Sequence, residues 1–394
     1  MKEREVKERE IRPGIGWVGA LHWDRRLFDS LIPLPDGTSY NAYLVRGSKK
    51  IALLDTVDPT KTDVLLRKLD SVPTVDYVVV HHVEQDHSGS LPAVTERYPK
   101  VQVLCTPKAK GMIVDHLGVP EERIAPVKDG ETLSLGDRTL EFIHAPWVHW
   151  PETMFTYLRE EKLLFSCDFL GSHIASTDLY AHDPERVYPA AKRYYAEIMM
   201  PFRTAIQGHL ERLSRYKISA VLPSHGPIYD DPAFILNAYR HWVLDPPLNT
   251  VVLPYASMHG STFRMVEHLV GALVDHGVSV EPFDMAGADL GSLAMALVEA
   301  ATVVFATPTV LTGAHPHVVT AAYLVNALRP KLRFGAVVGT YGWAGKAAEQ
   351  VMGLAGTLKL DWFDPVFARG APSKETFAAL DRLADAIQEK HEGL

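Results

Sequence analysis

The chain has 394 residues, 47% of them hydrophobic and 22% charged, and a formal net charge of −8. That length exceeds one ordinary domain and is enough to bury two cores. The negative balance without a basic stripe excludes nucleic acid as the main partner. No apolar run reaches the roughly 18 residues of a membrane-spanning helix.

The opening "MKEREVKERE" alternates charges and has no apolar signal-peptide stretch, so a cytoplasmic location is expected. "NAYLVRGSKKIALLDT" then sets two apolar runs around the turn "RGSKK", a hairpin signal. "DPTKTDVLLRKLDSV" starts on Asp-Pro and spaces Val64, Leu65 and Leu69 as a helix does. The strand-like runs "VDYVVV", "VQVLC", "TLEFIHAP", "KLLFSCD" and "ISAVLPSH" follow, and the mixture predicts two sheets sandwiched between helix layers. The Pro-Pro pair of "LDPPLN" marks a linker at 244–249, dividing the chain into domains 1–245 and 249–394. Beyond it, "TVVLPYAS", "VSVEPFDM", "ATVVFATPT", "RFGAVVGTYGW" and "DPVF" alternate with helical stretches such as "TFRMVEHLVGALVDHG". That is the rhythm of a doubly wound parallel sheet, and the fold class is α/β throughout.

"HHVEQDHSG" at 81–89 places His82, Glu84, Asp86 and His87 within six positions, straight after an apolar run. A chain does not need such a cluster to fold. Three further pieces also follow strands: His149 in "APWVHWP", Asp168 in "LLFSCDF" and His225 in "VLPSHG". Loops at strand ends are where an α/β structure gathers side chains into one cleft. Four imidazoles and three carboxylates suffice for two metal ions if one carboxylate bridges, and Asp168, alone on its strand, is the natural bridge. The two cysteines, Cys105 and Cys167, lie far apart and exclude a cysteine zinc site, a rubredoxin-type iron centre and a disulfide framework. Mixed histidine and carboxylate favours non-haem iron, although zinc accepts the same donors. Taken singly, His144, His173 and His259 are ordinary satisfied polar residues.

In the second half "YASMHGSTFRM" follows a strand and opens a helix, so Ser257, His259, Gly260, Ser261 and Thr262 can wrap amides and hydroxyls around a phosphate. Such a turn is as often a plain helix cap. Two more loops fall at strand ends of the same sheet, "TPTVLTG" at 307–313 and "GTYGWAG" at 339–345. Tyr341 and Trp343, beside Gly342 and Gly345, can flank a flat ring. No GxGxxG follows the first strand, which disfavours a dinucleotide.

The pattern H-x-E-x-D-H-x-G at 82–89, with "HWP" at 149–151, "SCD" at 166–168 and "SHG" at 224–226, resembles the metallo-β-lactamase-like domain of flavodiiron proteins. Glu84 stands where most hydrolases of that superfamily carry His, and this is the flavodiiron variant. The resemblance implies an αββα sandwich in which one iron takes His82, Glu84 and His149, the other takes Asp86, His87 and His225, and Asp168 bridges. It also points to Tyr195 in "RYYAEIMMPF" as facing the substrate pocket and to His173 in "GSHIAS" as a supporting histidine. The second half resembles flavodoxin. FMN is the implied cofactor, held by Ser257, Met258, His259, Gly260, Ser261 and Thr262, by Pro308, Thr309 and Gly313, and by Tyr341, Gly342, Trp343 and Gly345.

Together the two halves imply an oxidoreductase that takes dioxygen to water, nitric oxide to nitrous oxide, or both, at a diiron centre fed by FMN. The family further implies a head-to-tail homodimer or a dimer of dimers, with rubredoxin or a reduced deazaflavin coenzyme as external donor. The rival readings are a dizinc hydrolase with an accessory flavodoxin-like domain, and a flavodoxin-like electron carrier whose first domain is a scaffold.

Overall fold

The computed structural model describes residues 7–343 and 345–394. The chain divides into two compact units. The first runs through Tyr195 and resumes from Phe202 to Val243; the second takes Ala196–Pro201 and Leu244–Leu394. The division after Val243 falls at the Pro-Pro segment, whereas the excursion at Ala196–Pro201 has no counterpart in the sequence reading.

The first unit holds two main sheets. One runs in the order Arg9–Arg12, Ile15–Trp17, Tyr43–Arg46, Ile51–Leu54, Tyr77–Val79, Gln102–Cys105, Ile124–Pro126. It is antiparallel as far as the hairpin Tyr43–Arg46/Ile51–Leu54 and parallel from there on. The other runs Thr132–Ser134, Thr139–His144, Met154–Leu158, Leu163–Cys167, Ala220–Pro223, with only the last pair parallel.

Successive side chains of a strand face opposite ways, so a strand buried on both sides reads as an unbroken apolar run. Leu44, Leu53, Val78 and Val103 join a layer with Leu65, Leu91, Val94 and Ile113 of the helices Thr62–Lys68, Leu91–Arg97 and Pro107–Leu117. Their neighbours Val45, Ala52, Leu54, Val79 and Leu104 turn inward and meet Leu140, Phe142, Leu158, Leu163, Phe165 and Leu222 of the second sheet. Beyond that sheet, Phe155 stacks on Phe169 at 5.5 Å, and Tyr239 of the helix Pro232–Leu244 stands edge-on to Phe169 at 5.1 Å. Helix, sheet, sheet and helix thus form four layers. Two small hairpins, Ala20–His22 with Thr38–Tyr40 and Leu27–Phe28 with Ile32–Pro33, are too short to show as periodicity in the sequence.

The second unit is one parallel sheet in the order Ser279–Asp284, Leu248–Tyr255, Ala300–Val310, Phe334–Tyr341, with Asp361–Trp362 and Val366–Arg369 sharing the far edge. The helices Ser261–Asp275 and Lys374–His391 cover one face, where Met265, Leu269, Leu273, Leu380 and Ile387 pack on Val251, Leu253, Val304 and Val338. Strand order reverses between Leu248–Tyr255 and Ala300–Val310, the switch point where sheets of this kind bind ligands. One expected loop is partly strand: Thr307–Val310 continue the third strand, which turns back through Leu311 and Thr312 into Gly313–Ala314. Antiparallel pairing of Thr309 with Ala314 extends the strand beyond its parallel neighbours.

Candidate metal centre

Every ligand candidate leaves the carboxyl end of a strand. His82 follows Tyr77–Val79, and Glu84 immediately precedes the short helix Gln85–Ser88, which carries Asp86 and His87. That helix is anchored from below, where the backbone amide and hydroxyl of Thr56 both donate to the His87 carbonyl, at 2.8 and 2.7 Å. His149 sits in the turn after Thr139–His144, Asp168 ends Leu163–Cys167, and His225 follows Ala220–Pro223.

The fold brings all seven together. On one side, Glu84 Oε2 lies 3.0 Å from His82 Nε2 and 3.1 Å from His149 Nε2. Asp168 Oδ2 closes this set, 3.2 Å from His149 Nε2 and 3.7 Å from His82 Nε2. On the other side, Asp86 Oδ2 lies 3.3 Å from His87 Nε2 and 3.1 Å from His225 Nε2. Asp168 Oδ1 faces this second set, 2.7 Å from His87 Nε2 and 3.5 Å from His225 Nε2. One carboxylate therefore presents one oxygen to each group of imidazoles.

Several of these atoms stand close to one another yet make no well-formed hydrogen bond. Both oxygens of Asp86, Asp168 Oδ1 and both ring nitrogens of His87 are buried without a hydrogen-bond partner. Buried polar atoms left unpaired cost free energy, so a cluster of them aimed at common points fits a pair of cations. The electrostatics agree. Burial opposes charge on His82, His87 and His149, yet the carboxylates around them outweigh it and push each imidazole up to about 10. Burial likewise opposes charge on Glu84 and Asp168, and the imidazoles hold both well below the usual carboxylate range. The cluster demands positive charge, which protons or metal ions can meet. Iron and zinc both accept this donor set, and three donors per ion besides the shared Asp168 leave room for a small molecule.

The two supporting residues fare differently. His173 lies beside the cluster, its ring 4.7 Å from that of His225, with Nδ1 sharing a 2.9 Å hydrogen bond with Thr38 Oγ1. Burial and the neighbouring His225 keep it neutral, far below the ordinary imidazole value. Tyr195 points elsewhere, packing at 5.3 Å against both Tyr239 and Trp242. The residue at the cluster is Tyr194, with its ring 4.8 Å from His173 and 5.7 Å from His225. Successive side chains of a helix point about 100° apart, so adjacent tyrosines diverge where the helix Pro184–Tyr194 passes into a π turn at Tyr195. Sequence reasoning also missed Phe28, whose buried ring lies 5.3 Å from that of His173 and 6.4 Å from that of His225, and Glu152 behind His82.

In the second unit, Gly260 takes a left-handed φ of 81° and starts the helix Ser261–Asp275. Ser257 Oγ accepts the Phe263 amide at 3.2 Å, and Met258 and His259 stand exposed on the loop. The buried Thr262 hydroxyl shares a 3.0 Å bond with Thr340. Thr309 Oγ1 is buried without a partner beside a cavity of about 250 Å³ that Tyr341, Gly345 and Phe367 also line. A side chain at Gly345 would come within 2.8 Å of that hydroxyl. Pro308 lies within the third strand and Gly313 begins the returning one, while Gly342 and Trp343 form a bend after the fourth, Trp343 being 82% exposed. An orphaned hydroxyl, a glycine held open by it and an exposed indole fit a flat, phosphate-bearing cofactor.

Comparison with known proteins adds an independent line. A family model described as ODP family beta lactamase matches residues 38–226. The nitric oxide reductase of Moorella thermoacetica is 36% identical over 346 residues, covering 86% of each chain. Rubredoxin oxygen:oxidoreductase from Desulfovibrio gigas superposes with a TM-score of 0.94 at 29% identity, covering 98% of this chain and 99% of that one. The flavodiiron protein of Giardia intestinalis gives 0.90 at 28% identity, covering 99% and 100%.

Proposed function

Because the chain belongs to the flavodiiron family of type A flavoproteins, we propose that it reduces dioxygen, nitric oxide or both at two irons held in its first unit, with FMN bound in its second. The observation that carries this reading is the divided Asp168 carboxylate, one oxygen to each imidazole set. When bound, two irons and FMN supply up to four electrons, enough to take dioxygen and four protons to two waters, or with two electrons and two protons to take two nitric oxides to nitrous oxide and water.

The chain's own residues prepare the place where this happens. His82, Glu84 and His149 would hold one ion, Asp86, His87 and His225 the other, with Asp168 shared between the two sets. Phe28, Tyr194 and His173 wall the cluster with rings, which keeps bulk water from the pocket while admitting a small apolar gas. Burial and the Asp168 charge hold the Tyr194 phenol protonated, so its hydroxyl can donate a hydrogen bond without becoming an anion. Ser257, Gly260 and Ser261 would receive the FMN phosphate at the head of the helix Ser261–Asp275, and Thr309, Tyr341, Trp343 and Gly345 would border the ring.

Assembly and donor follow from the same reading. Trp23, Leu27, Leu31 and Trp147 are exposed near the first site, as are Met258, Leu311 and Trp343 near the second. Apolar side chains at both mouths support a head-to-tail homodimer that sets one subunit's FMN beside the other's irons. Reduced rubredoxin or a reduced deazaflavin coenzyme would feed the flavin in the cytoplasm. No helix among the described residues is long and apolar enough to cross a membrane.

The test is anaerobic. Protein assayed for iron is fully reduced and mixed in separate runs with each gas, following flavin reoxidation and gas consumption. Rapid turnover is expected, and the ratio of rates names the preferred gas. Flavin reoxidation no faster with iron than without it would sink the proposal and bring back the hydrolase reading.

A further inference from the structure

We propose that Glu152 is a positioning residue that fixes the pose of His82 and makes the metal at His82, Glu84 and His149 the more tightly held of the two. This rests on the metal-binding reading above. Glu152 Oε1 lies 2.8 Å from His82 Nδ1 and also accepts the Val83 amide at 3.1 Å. With its Nδ1–H donating to that oxygen, His82 keeps Nε2 aimed at Glu84 Oε2 and Asp168 Oδ2, the side a metal would take. The carboxylate's backbone is itself fastened, since Thr106 Oγ1 donates to the Glu152 carbonyl at 2.9 Å. Trp150 stands edge-on to His82 at 4.8 Å and blocks the alternative ring tilt.

Packing does not account for this glutamate. It is 1% exposed and its Oε2 has no protein partner. A buried carboxylate with an idle oxygen is costly, and an apolar side chain would fill the same space more cheaply. Orienting a ligand does account for it, because a metal-bound imidazole gains basicity and a fixed tautomer from the acceptor behind it.

The other ring nitrogens show what is special about this one. His225 Nδ1 lies 2.7 Å from the backbone carbonyl of Ser39, a neutral acceptor, and His87 Nδ1 is buried with no partner at all. His82, His225 and His87 are therefore backed in three grades: carboxylate, carbonyl and nothing. The best-backed ligand belongs to the first metal set and the two weaker ones to the second. The second ion leaves first.

Full-length protein stripped of iron and titrated with Co²⁺ alone tests this, since cobalt absorption reports donor set and occupancy without any turnover. Wild type should bind two ions and lose them to a chelator in two separated steps. E152A should weaken the tighter step by about 10–100-fold, bringing the two steps together. E152Q keeps an oxygen in place and should recover part of that loss with altered cobalt bands. Circular dichroism of the metal-free variants reports folding. Unchanged steps and bands in folded E152A overturn the proposal; if E152A does not fold, E152Q indistinguishable from wild type overturns it. A wild type that binds no cobalt would fail the metal reading itself, which is a different result.

Discussion

His87 Nε2 lies 2.7 Å from Asp168 Oδ1, the closest approach between an imidazole and a carboxylate in the cluster, while His82 and His149 face the other oxygen of the same side chain. This geometry fits an Asp168 that bridges and a His87 that ligates, since neither ring nitrogen of His87 makes a well-formed hydrogen bond. His87→Ala is therefore expected to bind one metal ion per chain in place of two. Turnover should fall by more than the roughly 10–100-fold that follows loss of a supporting group. Iron analysis beside flavin content checks it, with flavin unchanged. Two irons retained in the variant would remove His87 from the ligand set.

Metal loading should release protons. In the metal-free protein His82, His87 and His149 are each pushed up to about 10, so at pH 7 they hold protons that a metal must displace. Apparent metal affinity then climbs as pH rises towards 10. Metal-free stability moves the opposite way. A raised imidazole contributes fully below its unfolded value near 6.5, and that contribution is lost as pH rises through about 10. Calorimetric metal titrations in buffers of different ionisation heat would count the protons. A buffer-independent heat would contradict the ligand assignment.

Lys68 governs a separate pH response, remote from the ligands. The residue is 6% exposed, and its ammonium donates to the Gly19 carbonyl at 2.7 Å and lies 3.7 Å from the Trp17 ring centre. Burial, with a smaller contribution from Arg9, draws it down to about 7. Between pH 7 and its unfolded value near 10.5, the unfolded chain holds a proton that the folded one lacks. The Lys68 contribution to stability therefore rises with pH across that window, each tenfold difference in proton affinity being worth about 1.4 kcal/mol. In thermal melts between pH 7 and 10, Lys68→Met should remove that rising contribution from the difference between the two proteins. Parallel curves for the two proteins would show that the Trp17 ring and Gly19 carbonyl already offset the burial.

Gly345→Ala should empty the flavin site and spare the metals. The added carbon would stand 2.8 Å from Thr309 Oγ1 and 3.0 Å from Thr309 Cγ2, leaving that side chain no rotamer that clears it. FMN affinity should drop by at least about tenfold, equivalent to about 1.4 kcal/mol, read by flavin fluorescence. Iron content should hold. Wild-type flavin affinity would mean that the ring lies away from this loop.

The seven metal-ligand candidates could be picked out from the sequence because a dimetal site needs an unusual set of side chains and the fold collects them at strand ends. Glu84, Asp86 and His87 sit in one short stretch, and His149, Asp168 and His225 each close a legible apolar run. The doubly wound half was legible for a similar reason: strand and helix alternate with clear periods. What the sequence could not decide was direction. Tyr194 and Tyr195 are adjacent and identical in type, and only the orientation of the helix Pro184–Tyr194 against the cluster determines which ring meets His173. Phe28 lies on a two-residue strand, too short for any periodicity, and reaches the cluster through tertiary packing alone. Glu152 resembles any charged residue after a turn until the fold places its oxygen 2.8 Å behind His82. Residue type and spacing carry the chemistry of a ligand set; the pose of each ligand, and the groups that hold it, depend on distances between segments far apart in the chain.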